Sequence, residues 1–131
     1  MSDDPLSNLL LDAEEIDRAS LARVLHAYLG IDNNNGKIIQ KASFNKLSAR
    51  QKVLAYLLGK KVAKLLGKVE IELISPKDIQ AETGIPKGTV NPKLRELVDN
   101  CLVSQTKEGE YYIESHQILN CIAELENKEE K

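Results

Sequence analysis

The sequence predicts a mainly helical α+β fold, from its aliphatic composition and from the spacing of its apolar residues. Hydrophobic residues make up 42% of the 131 positions but aromatic residues only 4%, so leucine, isoleucine, valine and alanine must fill the core. Along much of the chain, apolar residues recur at three- and four-residue intervals, the spacing of amphipathic helices. Two short segments near the C-terminal end flank a polar tip with a glycine, as in a β-hairpin.

The first 46 residues are predicted to form an N-terminal extension made of a polar tail, a helix and a loop. From Ile16 to Leu29, the apolar residues form one stripe of an amphipathic helix, which Gly30 would end. In the next segment, GIDNNNGKII, asparagine and glycine crowd together as they do in turns, so a loop or loose hairpin is expected. Three roles stay open for this extension: it could build a dimer, extend the core or dock a partner.

A long helix follows, and it is the strongest helical signal in the chain. Ser48 is a candidate N-cap, and the helix should run to about Leu66 with its leucine-rich face in the core. Beyond it, in KVEIELIS, apolar residues at 69, 71 and 73 alternate with two glutamates. This period of two predicts a short, half-buried strand.

Two helices joined by a tight turn are predicted next. Ser75 before Pro76 supplies an N-cap and a favoured first helical residue, so a helix should run from Pro76 to about Thr83 and end at Gly84. After the connection GIP, a second helix is predicted from Lys87 to about Asp99. Its core-facing residues are Val90, Leu94, Leu97 and Val98.

A hairpin and a last helix complete the pattern. The predicted strands, Leu102 to Gln105 and Tyr111 to Ile113, surround the polar tip TKEGE with Gly109 in the turn. Residues 115–131 should form a C-terminal helix capped by Ser115 and a charged tail. Long helix, strand, helix, turn, helix and hairpin in close succession is the order of a winged helix-turn-helix, which residues 47–114 are predicted to form.

The segment IPKGTVNPKLRELVDNCLV resembles the recognition-helix region of the PadR-like transcriptional regulators. That family has a Gly-Thr pair, a small apolar residue, a Tyr-Pro pair and spaced leucines before a Gly-Leu-Val end. Asn91 stands in place of the tyrosine, and Cys101 in place of the last glycine, so Asn100 is predicted to be the left-handed residue that closes the helix. The resemblance covers about Ser75 to Ile113 and implies a DNA-binding domain of the winged-helix superfamily rather than membership in that family. The corresponding positions are Gly88, Thr89, Val90, Asn91, Pro92, Leu94, Leu97, Cys101, Leu102 and Val103.

Charge is strongly segregated along the chain. A formal net charge of −2 and a pI of about 5.7 argue against a nucleic-acid partner. Between Asn33 and Val69, however, there are nine lysines and arginines and no acidic residue. Such a block is either a solvated helix face or a surface that faces phosphates, and both interpretations stay open.

The second helix of the pair is the predicted DNA-binding element. A helix fits the major groove, where polar side chains near its N-terminus reach base edges while lysine and arginine neutralise phosphates. Thr89, Asn91 and Arg95 are the candidates for the groove. The full set of candidate DNA-binding residues, with the lysines assigned to phosphates, is Lys77, Lys87, Gly88, Thr89, Asn91, Lys93, Arg95 and Lys107.

An alternative function follows from two acidic residues on the same exposed side. Glu96 and Asp99 would oppose phosphates, and winged helices also serve as protein-interaction modules of larger complexes. For the DNA-binding function, double-stranded DNA is the expected partner. A homodimer through the terminal helices is also expected, since palindromic sites favour two-fold symmetry.

The chain lacks the motifs of catalysis and of metal binding. There is no GxSxG, no phosphate-binding loop and no HExxH, so an enzyme and a small-molecule substrate are not predicted. Cys101, Cys121, His26 and His116 lack zinc-site spacing, and neither a metal nor another cofactor is expected. The acidic start and the absence of a long apolar run predict a cytoplasmic protein with no membrane segment.

Overall fold

The computed structural model describes residues 5–6 and 13–126, and for residues 13–17 the backbone alone. This part of the chain is mainly helical, with two small antiparallel hairpins. Most of the predicted polar tail and residues 127–131 of the predicted charged tail lie outside the described residues. The helices are α1 (Ala13–Leu25), α2 (Ala49–Leu65), α3 (Pro76–Thr83), α4 (Lys87–Asp99) and α5 (Ile118–Glu126), and the strands are β1 (Leu29–Ile31), β2 (Ile38–Gln40), β3 (Ser104–Gln105) and β4 (Tyr111–Tyr112).

The first hairpin begins where the sequence predicted the end of a helix. α1 ends at Leu25, four residues before the predicted Leu29, because Leu29 to Ile31 pair with residues 38–40. Asp32 stabilises the connecting loop, since its Oδ1 accepts a hydrogen bond of 2.7 Å from the backbone N of Asn34. Of the two alternatives predicted for GIDNNNGKII, a loop or a loose hairpin, the structure has the hairpin, whereas the predicted helix end at Gly30 is wrong.

Helix α2 lies at the centre of the fold, in contact with the other four helices described. Ser48 is its N-cap, as predicted: the Ser48 Oγ accepts from the backbone N of Gln51, and the Gln51 side chain accepts from the backbone N of Ser48, both at 3.2 Å. At the other end, Gly67 has φ 75° and the backbone N of Lys68 donates to the carbonyl of Ala63 at 2.9 Å. These contacts form a Schellman motif, which ends the helix.

The strand predicted from residue 69 to 73 does not form. Ile71 is 65% exposed, and the residue that enters the core is Ile74, at 4%. Ile74 pairs with Tyr111 as an isolated bridge, because the short strand β4 offers a partner to this residue alone. Glu72, expected on an outer acidic face, turns inward instead, and its Oε1 lies 3.3 Å from the Nζ of Lys61.

Helices α3 and α4 have the bounds that the sequence predicts. The Ser75 Oγ caps α3 by accepting a hydrogen bond of 3.1 Å from the backbone N of Asp78. Gly84 ends the helix in a left-handed conformation with φ 77°. The second hairpin also forms, with Gly109 at φ 84° in its turn, but strands β3 and β4 have only two residues each and are shorter than predicted.

The C-terminal end of α4 corrects one prediction. Asn100 has φ −90°, and the left-handed residue is Cys101, with φ 64°. The backbone N of Cys101 donates to the carbonyl of Val98 at 3.0 Å, and that of Leu102 donates to the carbonyl of Leu97 at 2.9 Å. These two bonds define a Schellman motif, whose geometry requires the positive φ one residue beyond the helix cap. A cysteine therefore occupies a position that usually holds glycine.

The terminal helices pack against each other and against the rest of the protein. A 3-10 turn over Ser115–Gln117 precedes α5, and Glu114 rather than the predicted Ser115 is the N-cap residue of that turn. Leu119 on α5 is 48% exposed. One continuous core includes residues from the N-terminal extension, from the central segment and from α5, among them Leu21, Phe44, Leu54, Leu94, Ile118 and Leu125.

Candidate nucleic-acid interface

Helix α4 separates a fully buried face from an open one. Val90, Leu94 and Leu97 are each 0% exposed. Since successive residues of an α-helix are rotated by about 100°, the opposite face consists of Gly88, Pro92, Arg95 and Asp99. These four residues are exposed. The face predicted to enter the groove is therefore uncovered by the described part of the protein.

Two of the predicted phosphate ligands lie in the first turns of α3 and α4. Lys87 is the first residue of α4 and is exposed, and Lys77 is exposed in the first turn of α3. A Cβ added at Gly88 would meet no atom within 4 Å, so this glycine leaves the backbone of the first turn open to the surface. A helix N-terminus with bare backbone and a lysine in its first turn suits a phosphate oxygen.

One flank of α4 borders the second hairpin. Asn91, Arg95, Val98 and Asp99 line an open crevice of about 450 Å³, together with Pro76, Gln105, Gly109 and Tyr111. Two of the three residues predicted for the groove, Asn91 and Arg95, thus lie beside the hairpin. Lys107 is exposed near the tip of that hairpin. The third, Thr89, is half-buried on the other flank, seven residues before Glu96.

The opposite flank carries an ion-pair network that includes one predicted DNA ligand. The Nζ of Lys93 lies 3.4 Å from the Oε2 of Glu96, and the Nη1 of Arg50 lies 3.3 Å from the Oε1 of the same residue. The Nε of Arg50 lies 2.8 Å from the Oε2 of Glu124. Lys93, which the sequence predicts as a DNA ligand, is thus engaged within the protein.

This network changes the pKa of Glu96 and of Arg50. Slight desolvation tends to raise the pKa of Glu96, but hydrogen bonds from Arg50 and Lys93 outweigh it and hold the pKa below its usual range. For Arg50, burial tends to lower the pKa, but the hydrogen bonds and negative charges of Glu124 and Glu96 raise it further above neutrality. Glu96 on α4 and Arg50 on α2 are therefore both charged at neutral pH.

The basic block between residues 33 and 69 is divided among several environments. Arg50 belongs to the network on α4, and Lys61 is buried against Glu72. The Nζ of Lys41 donates to the carbonyl of His26 at 2.7 Å. Lys60 borders a crevice that also contains carboxylates of α3. Some of these positive charges therefore make contacts within the protein, and the nine residues do not form one basic face on α2.

Three further features of the described part of the chain bear on its chemistry: possible metal ligands, the apolarity of its helices and its thiols. Among residues 5–6 and 13–126, no group of three or more histidine, cysteine, aspartate or glutamate side chains could hold a metal ion. Over the same residues, no helix has the length and apolarity needed to cross a membrane. Cys101 is exposed and Cys121 buried, and both are free thiols.

Sequence reasoning missed Arg50 and the hairpin side of the crevice. Arg50 is 46 residues from Glu96 and 74 from Glu124, so no local spacing could connect them. Gln105 and Tyr111 lie in a predicted hairpin, but their approach to α4 depends on how the hairpin docks. Comparison with known proteins gives no match to this chain, whether with family models, curated proteins or solved structures.

Proposed function

We propose that this chain binds double-stranded DNA through a winged helix-turn-helix unit, formed by α3, α4 and the β3–β4 hairpin, and that it regulates transcription. The observation that carries the proposal is the open face of α4. On the opposite face Val90, Leu94 and Leu97 are fully buried, while Gly88, Pro92 and Arg95 are exposed. The lysines assigned to phosphates are exposed as well: Lys77 on α3, Lys87 on α4 and Lys107 in the hairpin. A major groove about 12 Å wide admits a helix presented in this way.

The residues divide into two roles in this proposal. Thr89, Asn91 and Arg95 read base edges, because their side chains carry hydrogen-bond donors or acceptors on or beside the open face. Lys77, Lys87 and Lys107 contact phosphates on either side of the groove. Gly88 allows the helix backbone to approach the sugar-phosphate chain closely. Lys93 contributes less, because Glu96 already neutralises its charge.

A homodimer through α1 and α5 belongs to the proposal. One copy presents few phosphate ligands, and two copies on a palindromic site would double them. Within one chain, α1 and α5 are held together by an ion pair of 2.6 Å between Arg23 and Glu126. Leu119 on α5 stays exposed and is available to a second copy. Sedimentation measurements of the molecular mass of the wild type and of a Leu119→Glu variant test this part. The wild type should be a dimer and the variant a monomer.

The test of DNA binding is a salt titration with random duplex DNA. For the wild type, the logarithm of the binding constant should fall with the logarithm of salt concentration with a slope of about −3 or steeper. Lys107→Ala should make the slope shallower by about one. Arg95→Ala should weaken binding about tenfold. Lys68→Ala, which removes an exposed lysine beside the β1–β2 loop, is the matched control and should change neither quantity.

A salt-independent or absent interaction would contradict the proposal. It would favour the alternative of a protein-interaction module, for which the carboxylates of Glu96 and Asp99 are no obstacle. In that case, Arg95→Ala and Lys68→Ala would have equally little effect on duplex binding.

A further inference from the structure

Arg50 connects three helices at the edge of the proposed DNA-binding face. It lies in the first turn of α2, and its guanidinium reaches Glu96 on α4 at 3.3 Å and Glu124 on α5 at 2.8 Å. Glu124 is itself held by α2, because the Nε2 of Gln51 donates to its backbone carbonyl at 3.3 Å. The arginine is thus anchored on the α5 side and directed at a residue of α4.

Glu96 is the residue of this network that matters to DNA. It follows Arg95 directly and lies on the same flank of α4 as Thr89, seven residues earlier, so its carboxylate borders the open face. Its side chain is 43% exposed. An uncompensated carboxylate at this place would repel the phosphates on that side of the groove.

We propose that Arg50 is a positioning residue for DNA binding, which neutralises Glu96 and holds its carboxylate toward α2, away from the duplex. This inference rests on the proposed DNA-binding function. Arg50 acts through Glu96 rather than by touching DNA, because its own side chain is only 21% exposed and both carboxylates surround its guanidinium. Lys93 contributes to the same neutralisation from within α4.

Arg50 and Glu96 each have two oppositely charged neighbours in this network. Arg50 meets two carboxylates and Glu96 meets two cations, so removal of Arg50 leaves Glu96 with Lys93 alone at 3.4 Å and frees Glu124 as well. Such coupled groups show non-additive effects when they are substituted together. This property makes the proposal measurable by a double-mutant cycle.

The experiment measures duplex affinity at low salt for the full chain in four forms: wild type, Arg50→Gln, Glu96→Gln and the double variant. Arg50→Gln should weaken binding by about threefold to tenfold, and Glu96→Gln should leave binding equal or tighter. In the Glu96→Gln background, the Arg50 substitution should change affinity less than about twofold. Lys68→Gln, which removes an exposed lysine outside this network, is the matched control and should have no effect on affinity.

A second readout reports on the ion pair without DNA. The carboxyl of Glu96 can be titrated by NMR in the free protein, and its pKa should rise in Arg50→Gln, because the hydrogen bond and charge that lower it are lost. Arg50→Lys should restore part of the affinity, since it keeps the charge but loses the forked geometry. Thermal unfolding of each variant separates these effects from loss of the fold.

The outcomes distinguish this inference from the proposed function. Equal weakening by Arg50→Gln in both backgrounds, with a salt slope shallower by about one, would show a direct phosphate contact and overturn the positioning role. An unchanged affinity in Arg50→Gln would overturn it too. Both of these results concern Arg50 alone. If the wild type binds DNA and Arg95→Ala weakens that binding, the proposed function stands even though the role of Arg50 is refuted. If the wild type binds no DNA, the proposed function fails and the inference fails with it.

Discussion

Replacing Cys101 with glycine is expected to stabilise the protein, and replacing Gly67 with cysteine to destabilise it. Both residues occupy the same position, the left-handed residue of a Schellman motif, with φ 64° in one case and 75° in the other. Cys101 is exposed, and a Cβ at Gly67 would meet no atom within 4 Å. The two substitutions are therefore the same chemical change in opposite directions, with little packing to confuse the comparison.

The magnitude follows from two opposing terms. A left-handed conformation costs a residue with a Cβ about 1–2 kcal/mol. Glycine recovers that cost but gives the unfolded chain more freedom, which offsets about 0.4–1 kcal/mol. The expected change in the free energy of unfolding is about 0.5–1 kcal/mol in each direction. With an unfolding entropy of about 2.1 cal/mol/K per residue, this corresponds to a shift in Tm of about 2–4 °C for a chain of this length.

Urea and thermal unfolding in reducing buffer measure both variants against the wild type. Cys101→Ala is the control for the thiol, because it removes the sulfur but keeps the Cβ, and its stability should match the wild type within about 0.5 kcal/mol. The reasoning is refuted if both glycine-cysteine exchanges shift the stability in the same direction. It is also refuted if Cys101→Ala stabilises as much as Cys101→Gly, since the gain would then come from losing the thiol.

Two further predictions concern the core. Leu94→Ala should lower the free energy of unfolding by about 2–5 kcal/mol in urea, because Leu94 is fully buried where α4 packs into the core. Ile71→Ala, at a residue that is 65% exposed, should change it by less than about 0.5 kcal/mol. Equal losses would contradict the assigned burial. Cys121, which is buried, should resist alkylation in the native state at pH 8, while the exposed Cys101 reacts. Burial, with the charge of Glu124 as a smaller cause, raises the pKa of Cys121 to about 12. The Sγ of Cys121 also donates a hydrogen bond of 3.1 Å to the carbonyl of Leu102. Mass spectrometry after a short alkylation pulse measures both sites, and comparable labelling of the two would contradict this prediction.

The helices were predictable where local chemistry determines them. Ser48, Ser75 and Gly84 cap or end helices through contacts within a few residues, and the bounds of α3 and α4 match the sequence prediction. Residues 69–74 were not predictable in this way. Their alternation fits a strand, but a strand needs a neighbour, and β4 offers one only to Ile74. The left-handed Cys101 was misplaced by one residue because its hydrogen bonds, rather than residue preference, determine which residue adopts a positive φ.

The candidate site shows the same division between local and long-range information. The exposed face of α4 followed from helical spacing, since Val90, Leu94 and Leu97 define the buried side. Helical spacing could not predict that Lys93 belongs to an ion-pair network, because Arg50 and Glu124 approach α4 from distant parts of the chain. Spacing along one helix indicates which residues face outward, but it does not show which of their charges are already neutralised.

Because the core is continuous, the central segment is not expected to fold without the two ends of the chain. Leu21 and Phe44, before the central segment, and Ile118 and Leu125, after it, are buried in the same core as α4. Residues 47–114 alone would expose the apolar surfaces that these side chains cover. The helix proposed to read DNA therefore depends on both ends of the chain for its shape. A defect in α1 or α5 would therefore reduce the proposed DNA binding by lowering the population of folded molecules, without altering any residue proposed to contact DNA.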